Sequence, residues 1–89
     1  GANTIDANEL ACKLYPNPAA NVLFVEILNE DENASVQIIS IDGKVVLTEQ
    51  LNSSDAVNSV DISSLANGIY TVIISTESIN QAFRLIVKK

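Results

Sequence analysis

The strongest constraint in this chain is a period of two. Short runs place an apolar residue at every second position: Leu10, Cys12 and Leu14; Leu23, Val25 and Ile27; Val36 and Ile38; Val45 and Leu47; Val60 and Ile62; Tyr70, Val72 and Ile74; Phe83, Leu85 and Val87. Successive side chains of a strand point to opposite faces, so this spacing fits half-buried strands and does not fit an amphipathic helix. Valine and isoleucine lead the apolar set, which reinforces the strand reading. In several runs the intervening positions are apolar too, as with Phe24, Val46, Ile73 and Ile86.

The gaps between runs are rich in turn formers. Pro16-Asn17-Pro18 cannot continue a sheet ladder, because proline lacks the N–H and fixes φ. Asn29 to Asn33 reads as a polar hairpin tip, Asn52 to Asp55 as a longer loop, and Thr76 to Asn80 as the last hairpin connection. At Asp42-Gly43 both residues tolerate positive φ, the signature of a tight hairpin. Ser63 to Gly68 is expected to form one helical turn ended by Gly68 in a left-handed conformation. Seven short strands with almost no helix, in one domain of 89 residues, predict a seven-stranded antiparallel immunoglobulin-like β-sandwich.

Composition narrows the function classes. Apolar residues make up 47% of the chain, which argues against disorder. A net charge of −6 and a pI near 4.2 exclude the basic footprint that nucleic-acid binding requires. Histidine is absent, removing the usual general base and the commonest metal ligand. One cysteine, Cys12, forbids an internal disulfide, and its phase with Leu10 and Leu14 makes it a small buried apolar residue. No apolar run approaches 18 residues, so no membrane insertion is expected. With no methionine, the chain is expected to be a segment of a longer protein. Neither the serines nor Asp55 and Asp61 form a recognisable catalytic set, and no cofactor is expected. The acids at Glu30 to Glu32 lack the spacing of a calcium loop, so no metal site is assigned.

The order of the punctuation carries a resemblance. YPNP at Tyr15 to Pro18, VQIISIDGKVV at Val36 to Val46, VDISSLANGIY at Val60 to Tyr70 and RLIVKK at Arg84 to Lys89 follow one another across residues 14–89. In that order they resemble the type A C-terminal sorting domain of the type IX (Por) secretion system of Bacteroidetes. The resemblance implies a non-catalytic address on a covalently linked upstream cargo. It further implies passage through the periplasm to the cell surface or medium, with an outer-membrane translocon and a sortase-like peptidase as partners. Residues 1–13 then form a linker and the start of a first strand continuing from the cargo, and 14–89 form the sorting domain.

The motif residues are the candidate recognition set: Pro16, Asn17, Pro18, Asp42, Gly43, Gly68, Tyr70, Lys88 and Lys89. Pro16 and Pro18 stiffen the passage from the first strand to the second. Tyr70 is expected to bury its ring and reach a loop carbonyl with its hydroxyl, and Leu65 to plug the sandwich end. Lys88 and Lys89 lie beyond the last strand, where exposed cations on an acidic domain would steer it to an acidic partner. The alternative is an immunoglobulin-like or fibronectin-like accessory module for glycan binding or spacing. Core positions expected for all four aromatic residues weigh against glycan binding. Edge strands also offer a route to a weak homodimer.

Overall fold

In the computed structural model, residues 12–27, 33–52, 55–77 and 80–89 are described. Seven strands form: β1 Cys12–Tyr15, β2 Val22–Ile27, β3 Ser35–Ser40, β4 Val45–Gln50, β5 Val57–Asp61, β6 Gly68–Ser75 and β7 Asn80–Val87. They make two antiparallel sheets, ordered β1-β2-β5 and β4-β3-β6-β7, the two layers of an immunoglobulin-like sandwich.

Alternation decides what lies between the layers. Leu23, Val25 and Ile27 of β2 and Val60 of β5 face Val36, Ile38, Val72, Ile74, Leu85 and Val87 of the larger sheet, all buried. Ala19, Ala34, Leu51, Ile62 and Leu65 close the ends of this core. Among the described residues no polar side chain is buried, so the core rests on apolar area alone. Burying each of these valine, leucine and isoleucine side chains stabilises the fold by about 1.5–3 kcal/mol, offset by the entropy of ordering the chain.

Several expectations are corrected. Tyr15 and Phe24 are not core residues: they sit opposite one another on the outer face of the three-stranded sheet, 38% and 37% exposed. Their rings stack at 5.6 Å. The phase of β2 explains this, since Leu23, Val25 and Ile27 take the inner face. Of the four aromatic residues, only Tyr70 and Phe83 pack against the core. β4 is mostly exposed despite its valines, because it is an edge strand whose pairing with β3 shifts register between Ile38 and Ile39. Only Leu47 of β4 packs against the core.

No helical turn ends at Gly68. Leu65 N–H closes a single turn on the Ile62 carbonyl at 3.0 Å, and Gly68 is already the first residue of β6, opposite Val87. Gly43 is the described glycine with positive φ, at 89°, whereas Asp42 keeps a negative φ. Three residues, Ile41 to Gly43, therefore span the β3–β4 hairpin, in which Gly43 N–H donates to Ser40 O and Ser40 N–H to Lys44 O. That is a three-residue loop with glycine at its left-handed position rather than the two-residue turn expected from Asp-Gly. The acidic segment at 29–32, with its calcium question, lies outside the described residues, and since β2 and β3 belong to different sheets it connects the sheets rather than tipping a hairpin.

Candidate functional site

Strand register brings the sequence motifs to one end of the sandwich. Ser40 pairs with Tyr70, Gly68 with Val87 and Val22 with Asp61. The connections beyond those pairs, residues 16–21, 41–44 and 62–67, therefore share an end with Lys88 and Lys89. β1 begins at the other end, where Cys12 lies opposite Ile27.

The Pro-Asn-Pro segment does more than turn the chain. It runs along the free edge of β7 and satisfies it. Asn17 Nδ2 donates to the Arg84 carbonyl at 2.9 Å, and Asn17 Oδ1 accepts from Ile86 N–H at 3.0 Å. Two residues on, Ala19 N–H donates to Ile86 O at 2.8 Å and Ala19 O accepts from Lys88 N–H at 2.9 Å, an isolated parallel bridge. Four successive edge groups of β7 and the residue after it are thus partnered. Pro18, lacking an N–H, cannot offer a regular ladder, so the side-chain amide of Asn17 stands in for a peptide group. Both Tyr15–Pro16 and Asn17–Pro18 peptide bonds are cis. The buried Ala19 side chain follows directly.

The 62–67 loop holds the chain end from the other side. Lys89 N–H donates to Asn67 Oδ1 at 3.0 Å, and Lys89 Nζ donates to the Ser63 carbonyl at 2.6 Å. Ser63 N–H in turn donates to Asp61 Oδ1 at 2.9 Å. The Ser63 hydroxyl and amide, with the charge of Lys89 nearby, hold the Asp61 carboxyl below its usual value. The Tyr70 hydroxyl donates to Ala66 O at 2.6 Å while its ring packs against the core, and Leu65 is buried below. In the hairpin, the Ser40 hydroxyl donates to the Asp42 carboxylate and lowers its pKa.

The structure therefore gathers all nine candidate residues at one end, in different states. Asn17, Tyr70 and Lys89 are tied into the fold, whereas Lys88 is bound only through its backbone among the described residues. Lys89 does not simply project into solvent. Gly68 has no steric need to be glycine, because an added Cβ would meet only Tyr70 Cε1, at 3.8 Å. Sequence reasoning missed Ala19, Ser63 and Asn67, which meet the backbone of Ile86 and Lys88, the Lys89 ammonium and the Lys89 amide, all far along the chain.

Charge is distributed unevenly. Lys44, Lys88 and Lys89 share the motif end with two carboxylates, Asp42 and Asp61, while Glu49, Asp55 and Glu77 lie towards the other end. Cys12 also lies there, its thiol pushed up to about 11 by burial and by Glu26, so it is not an activated nucleophile. Among the described residues, no group of three His, Cys, Asp or Glu side chains is placed to hold a metal ion.

Comparison with known families agrees with this geometry. A family model described as the secretion system C-terminal sorting domain matches residues 13–88. No curated protein matches the chain.

Proposed function

The chain belongs to the family of type IX secretion-system C-terminal sorting domains, and from that premise we propose that it is a non-catalytic address recognised in its folded form. As a sorting signal it serves export to the cell surface or the extracellular space. The observation that carries the finer reading is the convergence of YPNP, DGK, LANGIY and the terminal lysines at one end of the sandwich.

An outer-membrane translocon engages that end after the cargo has reached the periplasm. β1 begins at the opposite end, so a cargo joined upstream stays clear of the recognition surface. A sortase-like peptidase then acts on the linker before β1, releasing or anchoring the cargo. Pro16, Asn17 and Pro18 contribute by fixing the final strand as well as by stiffening the passage from β1 to β2.

The test fuses the chain to the C-terminus of a reporter bearing a signal peptide. It is expressed in a type IX-competent host and in a translocon-deficient one. Reporter outside the cell only in the competent host is the expected outcome. Periplasmic retention of a folded fusion in both hosts overturns the proposal.

One observation favours the accessory-module reading. The exposed Tyr15–Phe24 stack is the kind of aromatic surface on which a sugar ring can lie. Retention in both hosts, together with oligosaccharide binding abolished by Phe24→Ala, would establish that reading instead.

A further inference from the structure

The chain carries a net charge of −6, yet among the described residues the outward strand positions of the four-stranded sheet hold no carboxylate. The outward positions of the four-stranded sheet follow from register. They are Val45, Thr48 and Gln50 on β4; Ser35, Gln37 and Ile39 on β3; Ile69, Thr71, Ile73 and Ser75 on β6; and Asn80, Ala82, Arg84 and Ile86 on β7. Towards the motif end this face turns aliphatic. Val45 lies opposite Ile39, and Ile69 lies opposite Ile86. Val45 is 53% exposed and Ile69 43%, and Ile41 at the adjoining hairpin tip is 86% exposed.

Cations border the aliphatic group. Lys44 precedes Val45, Arg84 lies opposite Thr71, and Lys88 continues the outward phase of Arg84 and Ile86. An apolar centre with a charged border is the anatomy of a protein interface.

We infer that the motif end of this outer sheet face is the docking surface for a protein partner whose own apolar patch is ringed by carboxylates. The inference rests on the sorting reading and assigns a face to it. The partner's acidic ring follows from complementarity with Lys44, Arg84 and Lys88. A second copy of this chain is disfavoured, because a two-fold contact would set this cationic border against itself. An anionic lipid surface is disfavoured by the net negative charge and by the lack of aromatic anchors on the face.

The reporter fusion tests this with Val45→Thr/Ile69→Thr, which removes apolar surface while keeping β-branched side chains. Val22→Thr/Val57→Thr makes the same change at comparably exposed positions of the other sheet. The first variant is expected to lower the export rate roughly tenfold, with an unchanged melting transition, and the second to leave it unchanged. Lys44→Glu/Lys88→Glu leaves the aliphatic residues in place and is expected to slow export as well, so the inference stays testable if the threonine pair fails to fold.

Wild-type rates in both the Val45/Ile69 and Lys44/Lys88 variants overturn the inference, as does equal loss from the two threonine pairs. A wild-type dimer in sedimentation, or binding to anionic vesicles, that the Val45/Ile69 change abolishes would reassign the face to self-association or lipid. Failure of the wild-type fusion to leave a competent host overturns the sorting reading itself, and this docking surface with it.

Discussion

Replacing Asn17 by alanine should weaken the whole domain through the edge of its last strand. The change removes two hydrogen bonds, from Nδ2 to the Arg84 carbonyl at 2.9 Å and from Ile86 N–H to Oδ1 at 3.0 Å. A protein hydrogen bond contributes about 0.5–1.5 kcal/mol net. Asn17 is exposed, so water can reach the vacated edge groups and the full penalty of a buried orphan is not incurred. The expected cost is therefore about 1–2 kcal/mol, or roughly 5–15 °C in melting temperature for a domain of this size.

Amide exchange measures the local part of the same effect. Protection of Ile86 N–H should fall further than that of Val72, in the buried centre of the sheet, because the Ile86 amide loses its acceptor directly. Asn17→Asp separates the two bonds: it keeps an acceptor for Ile86 but turns an anionic oxygen towards the Arg84 carbonyl. At neutral pH it should cost at least as much as alanine. Asn21→Ala is the control, changing an exposed asparagine of the same segment with an expected effect within about 0.5 kcal/mol. The reasoning fails if Asn17→Ala is no worse than Asn21→Ala, or if Ile86 and Val72 lose protection in equal proportion.

Further outcomes concern the glycines and the carboxylates of the motif end. Gly43→Ala, at φ 89°, should cost about 1–2 kcal/mol in denaturant titration. Gly68→Ala should change stability by less than about 0.5 kcal/mol, since the added methyl meets only ordinary contact. Acid should loosen the motif end: Asp42 and Asp61 have folded pKa values held below the ordinary 3.8. Their contribution is therefore complete above that value and is lost as pH falls through the folded values, where the unfolded chain binds more protons. Asp61→Asn should flatten part of that slope in pH-dependent urea titrations.

The strands were legible because alternation is a local property. Val36 and Ile38, or Val72 and Ile74, announce a buried face without any knowledge of the partner strand. What alternation leaves open is which face is buried when both are apolar. Phe24 beside Leu23 and Val25 shows the ambiguity, and only sandwich assembly resolves it by turning Phe24 outward. Edge position is hidden too, so the valines of β4 give no sign that the strand is mostly exposed. The clasp was invisible for a stronger reason. Asn17 binds residues 67 and 69 positions away through a side-chain amide, and no spacing rule connects such partners. Asn58 makes a comparable substitution at the other end of the sandwich, accepting from Asn52 N–H at 2.9 Å and donating to Asn52 O at 3.2 Å.

A surface assembled this way has a consequence for when an address can be read. The β1–β2 connection, the β3–β4 hairpin, the 62–67 loop and the chain end meet only after both sheets have formed, because register places them together. In the unfolded chain, Lys88 and Lys89 are two lysines on an acidic polymer, with Asn17 and Asn67 held nowhere near them. Folding fixes the Lys89 ammonium on the Ser63 carbonyl and its amide on Asn67, and it fixes the backbone of Lys88 through Ala19 at the same end of the sandwich. Under the proposed function, the same hydrogen bonds that stabilise the last strand make recognition conditional on folding. Substitutions that open the Asn17 clasp should then reduce export even when the lysines are untouched.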